Sequence, residues 1–168
     1  LNGLKMRIQP SDVLRSQMEA YGASPTPMAF GEVFNALQQG VIDGQENPYS
    51  NIFSQKMHTV QDHLTVSDHG YIGYVFAVNN DFFNELPQDL QGAITEAADE
   101  ATAYNREIAA EKNQGDRKKI EDEGTTEITE LTPEQRQAFK DAVVPKVWDE
   151  YADVIGQDLI DEIKTKQQ

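Results

Sequence analysis

The chain has 168 residues, a formal net charge of −15 and no cysteine. This length suits one domain with a sizeable core, and the acidic surface opposes binding to nucleic acid or to an anionic membrane. The lack of cysteine excludes disulfides, thiolate nucleophiles and cysteine-bound zinc. Residues 1–80 hold seven acidic and four basic residues, a net charge of −3, which leaves −12 for residues 81–168. We therefore expect the two halves of the chain to have different roles.

The beginning of the chain predicts a strand followed by a helix. Apolar and polar residues alternate over LKMRIQ (4–9), the pattern of a strand with one buried face. Ser11 and Asp12 are typical of a helix start and Gly22 of a helix end. Arg7 lies near the carboxyl end of the strand, where open α/β folds bind ligands, and its planar guanidinium suits a carboxylate. The alternative is an exposed strand arginine in an acidic protein.

A second strand and helix follow. PTPMAF (25–30) is predicted to be extended, because the residue before each proline avoids helical backbone. EVFNALQQG (32–40) predicts a helix that ends near Gly40. Phe30 would end the second strand at the same sheet edge as Arg7, where its ring either lines a crevice or belongs to the core.

The stretch VIDGQENP (41–48) predicts a turn that leads into a third helix. Asn47 directly precedes Pro48, and proline is favoured at the first position of a helix. We therefore expect Asn47 to cap this helix, whose free N–H groups attract anions. The apolar face of the helix is predicted to continue through Ile52, Phe53, Met57 and Val60.

Two long elements occupy the middle of the chain. Residues 64–79 are rich in β-branched and aromatic side chains and predict one long strand, or two joined by a bend. Residues 87–123 predict a helix that Gly124 stops; at ~1.5 Å per residue it exceeds ~50 Å. No apolar run reaches the ~18 residues of a membrane-spanning helix. A helix of this length must bridge two lobes or pack against a partner.

The remaining residues predict one strand and two helices. TTEITEL (125–131) has the composition of a short strand. Thr132 and Gln135 form a capping-box pattern at the start of a helix that Pro145 is expected to kink or split. A last short helix groups Leu159, Ile160 and Ile163.

Support for catalysis or metal binding is weak. Glu46 and His69 are candidates for an acid–imidazole pair, and an acid–base enzyme that uses them is one alternative. No serine, threonine or cysteine lies in a recognisable nucleophile elbow. His58, His63 and His69 lack the spacing of a metal-binding motif, so we predict neither a metal nor a cofactor.

Four stretches resemble the solute-binding proteins of tripartite ATP-independent periplasmic (TRAP) transporters: GLKMRIQ, GASPTPMAFGEVFNALQQGVIDGQENP, QKMHTVQDHLTVSDHGYIGY and the helix start LPQDLQ. The likeness covers essentially the whole chain, and its block over 22–48 is very specific. RIQPSDVL and HGYIGY are most similar to the four-carbon dicarboxylate-binding (DctP-like) branch. The resemblance implies a two-lobed α/β fold of the periplasmic-binding-protein type. Such proteins close around an organic acid and deliver it, unchanged, to a membrane permease.

The resemblance also implies roles for three residues. In this family the arginine at the position of Arg7 pairs with the ligand carboxylate, the aromatic residue at Phe30 lines the pocket, and the asparagine at Asn47 hydrogen-bonds the same carboxylate. Glu46 and His69 are our own addition. We expect a charge-assisted hydrogen bond between them to hold the carboxylate-binding edge in one geometry.

The family carries a further N-terminal lobe, so we expect this chain to be the C-terminal part of a longer protein. Residues 1–63 would form the first part of the ligand-binding lobe, 64–123 a strand and a helix that cross between the lobes, and 124–168 the rest of the lobe. Two alternatives stay open: a TRAP binding protein for a sialic, keto or sugar acid, and a helical protein that oligomerises through 87–123. An exposed lobe interface would also favour self-association of the chain.

Overall fold

The fold is built on a three-stranded parallel sheet. The computed structural model describes residues 1–166. In sheet order the strands are β2 (Ser24–Pro27), β1 (Lys5–Ile8) and β3 (Gly44–Gln45). The prolines of β2 fit an edge strand, because proline has no N–H to donate to a second neighbour. The predicted first strand is confirmed, and Arg7 lies one residue before its end.

Helices follow the first two strands, as predicted. They are α1 (Asp12–Ala20) and α2 (Val33–Gln38). Ser11 caps α1, because its hydroxyl accepts a hydrogen bond from the Leu14 N–H at 3.3 Å. Gly22 follows the end of α1 with a φ of 78°, a conformation that favours glycine.

The position predicted for Phe30 is wrong. β2 ends at Pro27, and Phe30 begins a 3-10 turn (Phe30–Glu32) that leads into α2. The reason lies in the neighbouring strand. The N–H of Met28 makes the last bond to β1, at the carbonyl of Ile8, and β1 ends there. The chain beyond Met28 therefore has no strand to pair with.

The third helix begins one residue later than predicted. Pro48 is the residue before α3 (Tyr49–Ser54), and Asn47 makes no capping hydrogen bond. The Asn47 oxygen instead accepts from the side-chain amide of Asn51, at 3.3 Å. Asn113, far away in the chain, binds the free N–H of Ser50 at 3.0 Å. The predicted Asn47 cap is thus wrong, and Asn113, a residue of a later helix, binds a free N–H of α3 instead.

The predicted long strand over 64–79 is much shorter. β4 spans His63–Val66, and within the described chain residues 67–79 form no strand before α4 (Asn80–Glu85). β4 pairs in parallel with β5 (Glu127–Glu130), whose last residue is level with Val66. A strand needs a hydrogen-bonding neighbour, and here the neighbour ends. The segment beyond leaves large apolar side chains in solvent, with Tyr71 93% exposed.

The predicted long helix is confirmed as α5 (Gln88–Glu123), which has 36 residues and a length of about 54 Å. Its buried residues within the described chain are Asp116 and Ile120, both near its end, and its main contact there is with α3. Leu90 and Tyr104, nearer its start, are exposed. Although it is long, neither α5 nor any other helix in residues 1–166 is apolar enough to cross a bilayer.

The last three helices are α6 (Pro133–Glu150), α7 (Ala152–Ile155) and α8 (Gln157–Lys166). The predicted capping box is confirmed, since the side chains of Thr132 and Gln135 each accept from the backbone N–H of the other. Pro145 was predicted to kink or split this helix; α6 continues through it, so of the two outcomes the split is wrong. Pro145 lies on the exposed side of the helix, where water can replace the hydrogen bond that proline cannot make.

Two apolar clusters hold these elements together. The larger consists of Val33, Ala36, Leu37, Ile42, Ile52, Met57 and Ile120. It joins α2, α3, a 3-10 turn (Met57–Val60) and the end of α5. The smaller consists of Ile8, Met18 and Ala23 and fixes α1 on β1. Burial of apolar surface stabilises the folded state by roughly 25 cal/mol per Å². The smaller cluster includes Ile8, so it holds in place the end of the strand that carries Arg7.

Asn113→Ala should destabilise the protein, because it removes the oxygen that binds the Ser50 N–H. We expect the free energy of unfolding to fall by about 1 kcal/mol, the usual loss for a removed helix cap. Asn105→Ala, at an exposed position of the same helix, is the matched control for the higher helix propensity of alanine. Urea denaturation measures the difference. Equal stability of the two variants would contradict the cap.

Candidate functional site

Arg7 is buried at the carboxyl edge of the sheet, with 2% of its surface exposed. Its Nε and Nη2 atoms donate to the Met28 carbonyl at 3.0 and 2.7 Å. The guanidinium carbon lies 5.9 Å from the centre of the Phe30 ring. Nη1 is buried and has no hydrogen-bond partner among residues 1–166. Because an unpaired buried donor is costly, this end of the guanidinium suits an acceptor supplied by a ligand.

Glu46 directly follows β3 and provides a counter-charge for Arg7. Burial lowers the pKa of Arg7, and the charge of Glu46 opposes that shift. Burial likewise raises the pKa of Glu46, and the charge of Arg7 opposes it. The Oε1 atom of Glu46 is buried and has no partner within the described residues. Each side chain therefore stabilises the charged form of the other, in a site where desolvation disfavours both charges.

Glu46 and His69 are neighbours, as predicted, but the expected hydrogen bond between them is absent from the described chain. The distance from His69 Nε2 to Glu46 Oε2 is 3.9 Å, which is too long for a hydrogen bond. Burial lowers the pKa of His69, and the charge of Asp68 opposes that shift. Because burial also raises the pKa of Glu46, both shifts favour the neutral groups. The prediction of a charge-assisted bond is therefore wrong.

Asn47 is held at the same edge by its own neighbours. Its amide donates to Oε1 of Gln45 at 2.7 Å, and Gln45 donates in turn to Gln61 at 3.2 Å. Gln45 is level with Arg7 in the sheet, which places Asn47 just beyond the end of Arg7's own strand. The hydrogen bonds fix the orientation of the Asn47 amide.

A cavity of about 220 Å³ lies beside this edge. Its lining combines polar and apolar residues: Gln9, Leu14, Gln17, Glu46, His69 and residues 70–73. His69 Nε2 is buried here without a hydrogen bond inside residues 1–166, like Glu46 Oε1. Arg7 and Phe30 are outside the lining, so Glu46 is the residue that links the cavity to the guanidinium.

The structure brings four of the five predicted site residues into one cluster. Arg7 contacts Phe30 and interacts with Glu46, and Glu46 approaches His69. Asn47 lies at the same edge, but its hydrogen bonds in the described chain are to other amides. In residues 1–166 no group of three or more histidine and carboxylate side chains is arranged to hold a metal ion.

Sequence reasoning missed three contributors to this site. The Met28 carbonyl accepts two donors of Arg7, and no sequence pattern signals a backbone acceptor. Gln45 orients Asn47 through a hydrogen bond. The sequence did offer a signal for this contact, because residues two apart on an extended segment point to the same face. Asp43 accepts from the backbone N–H of Lys5 at 2.7 Å and so ties the start of β1 to the turn before β3.

His69→Gln should make the protein less sensitive to acid. The folded-state pKa of His69 lies below the unfolded value of 6.5. As the pH falls through 6.5 the unfolded chain therefore takes up this proton first, and the folded state loses stability. Between about pH 7.5 and pH 5.5 we expect the free energy of unfolding of the variant to rise relative to wild type, as measured by urea denaturation. A difference that does not change with pH would contradict the effect of burial on His69.

The chain has close relatives among known proteins. Residues 1–153 match the family described as bacterial extracellular solute-binding protein, family 7. The "C4-dicarboxylate-binding periplasmic protein DctP" of Rhodobacter capsulatus is 50% identical, over 96% of this chain and 48% of its own length. The protein of the same name from Shewanella loihica is 47% identical, over 95% of this chain and 47% of its own. The chain thus spans about half the length of the curated relatives it matches.

A solved structure agrees with the sequence relatives. It is a TRAP periplasmic solute-binding protein from Shewanella oneidensis with bound succinate, with a TM-score of 0.92 and 42% identity over 95% of this chain and 52% of that one. The predicted α/β fold of the binding-protein type is confirmed. Since the family match also covers most of the sequence, the chain belongs to family 7 of the bacterial extracellular solute-binding proteins, the TRAP-transporter binding proteins that its motifs resemble.

Proposed function

We propose that the protein is the periplasmic solute-binding subunit of a TRAP transporter. It captures a small dicarboxylate of the malate, succinate or fumarate type and passes it, chemically unchanged, to the membrane permease. Family membership supports solute binding. The names of two relatives and the ligand of a similar structure support a four-carbon dicarboxylate.

The observation that carries this proposal is the unpaired Nη1 of Arg7. A buried guanidinium whose other edge already binds the Met28 carbonyl offers a fixed, charged donor to one acceptor. Carboxylate is the acceptor whose charge and geometry fit best. In a protein of net charge −15, a desolvated arginine also supplies the local positive charge that a dianion needs.

Asn47 and Phe30 complete the carboxylate site in this proposal. The Asn47 amide, oriented by Gln45, hydrogen-bonds the carboxylate that Arg7 binds. The half-exposed ring of Phe30 covers the guanidinium from the side and excludes water from the pair. Glu46 and His69 support the edge without touching the carboxylate, since Glu46 sets the charge balance at Arg7 and His69 lies against Glu46.

We further propose the two-lobed arrangement expected from the family. Residues 1–63 and 124–168 form the ligand-binding lobe, and 64–123 cross to a second lobe. The support is exposed apolar surface: Tyr71, Tyr74, Val75 and Phe76 all lie in solvent, and so does much of the start of α5. An exposed apolar surface of this kind is typical of an interface. The relatives contain about as many further residues as this chain, enough for a second lobe that would cover it. A second copy of the chain is the alternative cover, so the isolated chain is expected to self-associate.

Arg7→Ala should abolish succinate binding in the full-length protein. We expect the affinity to fall by at least about 100-fold, because the ligand carboxylate loses a buried charged donor. Arg7→Lys should also bind weakly, since lysine lacks the planar fork that binds the Met28 carbonyl on one edge and offers a donor to the ligand on the other. Isothermal titration calorimetry measures both, with Arg15→Ala at an exposed position as the control for the lost charge. Wild-type affinity in Arg7→Ala would contradict the proposed site.

Asn47→Asp should weaken binding more than Asn47→Ala, although aspartate has nearly the same shape as asparagine. The new carboxylate would face the ligand carboxylate, and like charges at close range cost affinity. We expect a loss of about tenfold or more, measured by calorimetry with thermal melts to confirm folding. If Asn47→Asp binds succinate as wild type does, Asn47 does not contact the carboxylate.

A thermal-shift screen of the full-length protein decides the ligand class. Succinate, malate and fumarate are expected to raise the melting temperature, since a ligand that binds the folded state stabilises it. Stabilisation by a sialic, keto or sugar acid instead would replace the dicarboxylate with that class. Turnover of any added acid, detected by NMR, would contradict the proposal that the ligand leaves unchanged.

A further inference from the structure

The chain makes an unusual turn directly after β4. Asp68 has a φ of 47°, in the left-handed region that residues other than glycine seldom adopt. The Ser67 hydroxyl lies 2.7 Å from Nδ1 of His69 across this turn, and the opposite ring nitrogen of His69 faces Glu46. The direction of the His69 ring therefore depends on a backbone conformation that needs outside support.

Arg136, in the first turn of α6, provides such support. Its Nη1 donates to the carboxylate of Asp68, and its Nη2 donates to Oε2 of Glu130 at 3.3 Å. Glu130 is the last residue of β5 and is level with Val66, the last residue of β4. One guanidinium thus ties the turn to the end of the two-stranded sheet from which the turn emerges.

A second contact from α6 acts on the same histidine. Phe139, one helical turn after Arg136, packs on Tyr21 with ring centres 4.8 Å apart, and Tyr21 meets the His69 ring edge-on at 6.3 Å. Gln17 donates to the His69 carbonyl at 3.1 Å. His69 is therefore held through its ring by aromatic packing and through its backbone by Gln17 and the turn.

We propose that Arg136 is a positioning residue for ligand binding: by holding Asp68 it fixes His69 and the cavity wall formed by residues 70–73. This inference rests on the proposed function, in which Glu46 and His69 support the carboxylate-binding edge. Arg136 has no contact with Arg7 in the described chain and does not touch the ligand. It acts through the geometry of the turn.

The exposure of the tether separates positioning from overall stability. The side chains of Arg136 and Asp68 are 35% and 69% exposed. An ion pair this accessible contributes little to global stability, so breaking it leaves the fold in place. A small displacement of a binding group, by contrast, lowers affinity strongly. Loss of the tether should therefore be visible in binding before it is visible in melting.

Three variants of the full-length protein test the proposal. Arg136→Gln removes the tether, and Arg136→Lys keeps the charge. Arg117→Gln is the matched control, because Arg117 also binds Glu130 but has no bond to Asp68 within residues 1–166. Titration calorimetry with succinate should show about tenfold weaker binding for Arg136→Gln, partial recovery for Arg136→Lys and no change for Arg117→Gln. Melting temperatures should stay within about 3 °C of wild type.

A double-mutant cycle tests whether Arg136 acts through Asp68. Asp68→Gly removes the carboxylate while glycine keeps the left-handed backbone accessible. It should weaken succinate binding as Arg136→Gln does. The double variant should be no weaker than Arg136→Gln alone, because both changes remove the same tether. Additive losses would show that Arg136 affects binding by another route and would overturn the proposal.

NMR of the ligand-free protein gives a readout that does not need the ligand. In nitrogen-15-labelled samples the ring signals of His69 report its tautomer and titration. Arg136→Gln should move the pKa of His69 toward 6.5, because a loosened turn admits water. Unchanged His69 signals overturn the proposal, whatever the affinity. If wild type binds no dicarboxylate, the proposed function fails, but the His69 titration still decides whether Arg136 positions this histidine.

Discussion

The buried guanidinium of Arg7 is the constraint on which the site depends. Desolvation disfavours its charge, and only part of that cost is offset by the Met28 carbonyl and by Glu46. One donor is left without a protein partner in the described chain. To bind a carboxylate as proposed, this cation must be held rigidly, because the direction of its free donor sets where the carboxylate lies. Placing Arg7 on the central strand of a parallel sheet, with a paired neighbour on each side, supplies that rigidity.

The other parts of the site are attached to this strand by short polar links. Asn47 is bound to Gln45 in the neighbouring strand and to Asn51 in α3, and α3 is capped in turn by Asn113 of α5. The edge proposed to bind the carboxylate and the long helix are thus joined, through α3, by three hydrogen bonds. A ligand that orders Asn47 would therefore also order α3, which is hydrogen-bonded to Asn47. Through α3 the effect would reach the end of α5, the part of that helix with buried residues.

Elements whose determinants lie within a few residues could be predicted from the sequence. The first strand, the Ser11 cap, the Thr132 capping box and the end of α5 at Gly124 all follow from local patterns. Two of the wrong predictions have a cause far away in the chain. The cap of α3 comes from a residue more than sixty positions later, and the strand after His63 stops where its partner stops.

The candidate site divides along the same line. Arg7 at a strand end, and Asn47 and Phe30 in the family motifs, were identified from the sequence, since each lies in a recognisable pattern. The carbonyl that holds Arg7 and the arginine that holds Asp68 were not, because they meet their partners only in the folded chain. The sequence also could not show whether Glu46 and His69 form a hydrogen bond or only approach to 3.9 Å, because packing sets such small differences in distance.

The uneven distribution of charge explains how a protein of net charge −15 could bind an anion as proposed. Most of the negative charge lies in residues 81–168 and on exposed side chains, and salt screens such charges beyond ~8 Å at physiological ionic strength. Arg7 and Glu46 lie in a desolvated site where screening is weak. In the proposed site, the electrostatic potential at a bound carboxylate is therefore set by these buried neighbours and not by the net charge. The acidic surface can serve solubility while, in the proposed site, one arginine supplies the positive charge that a carboxylate needs.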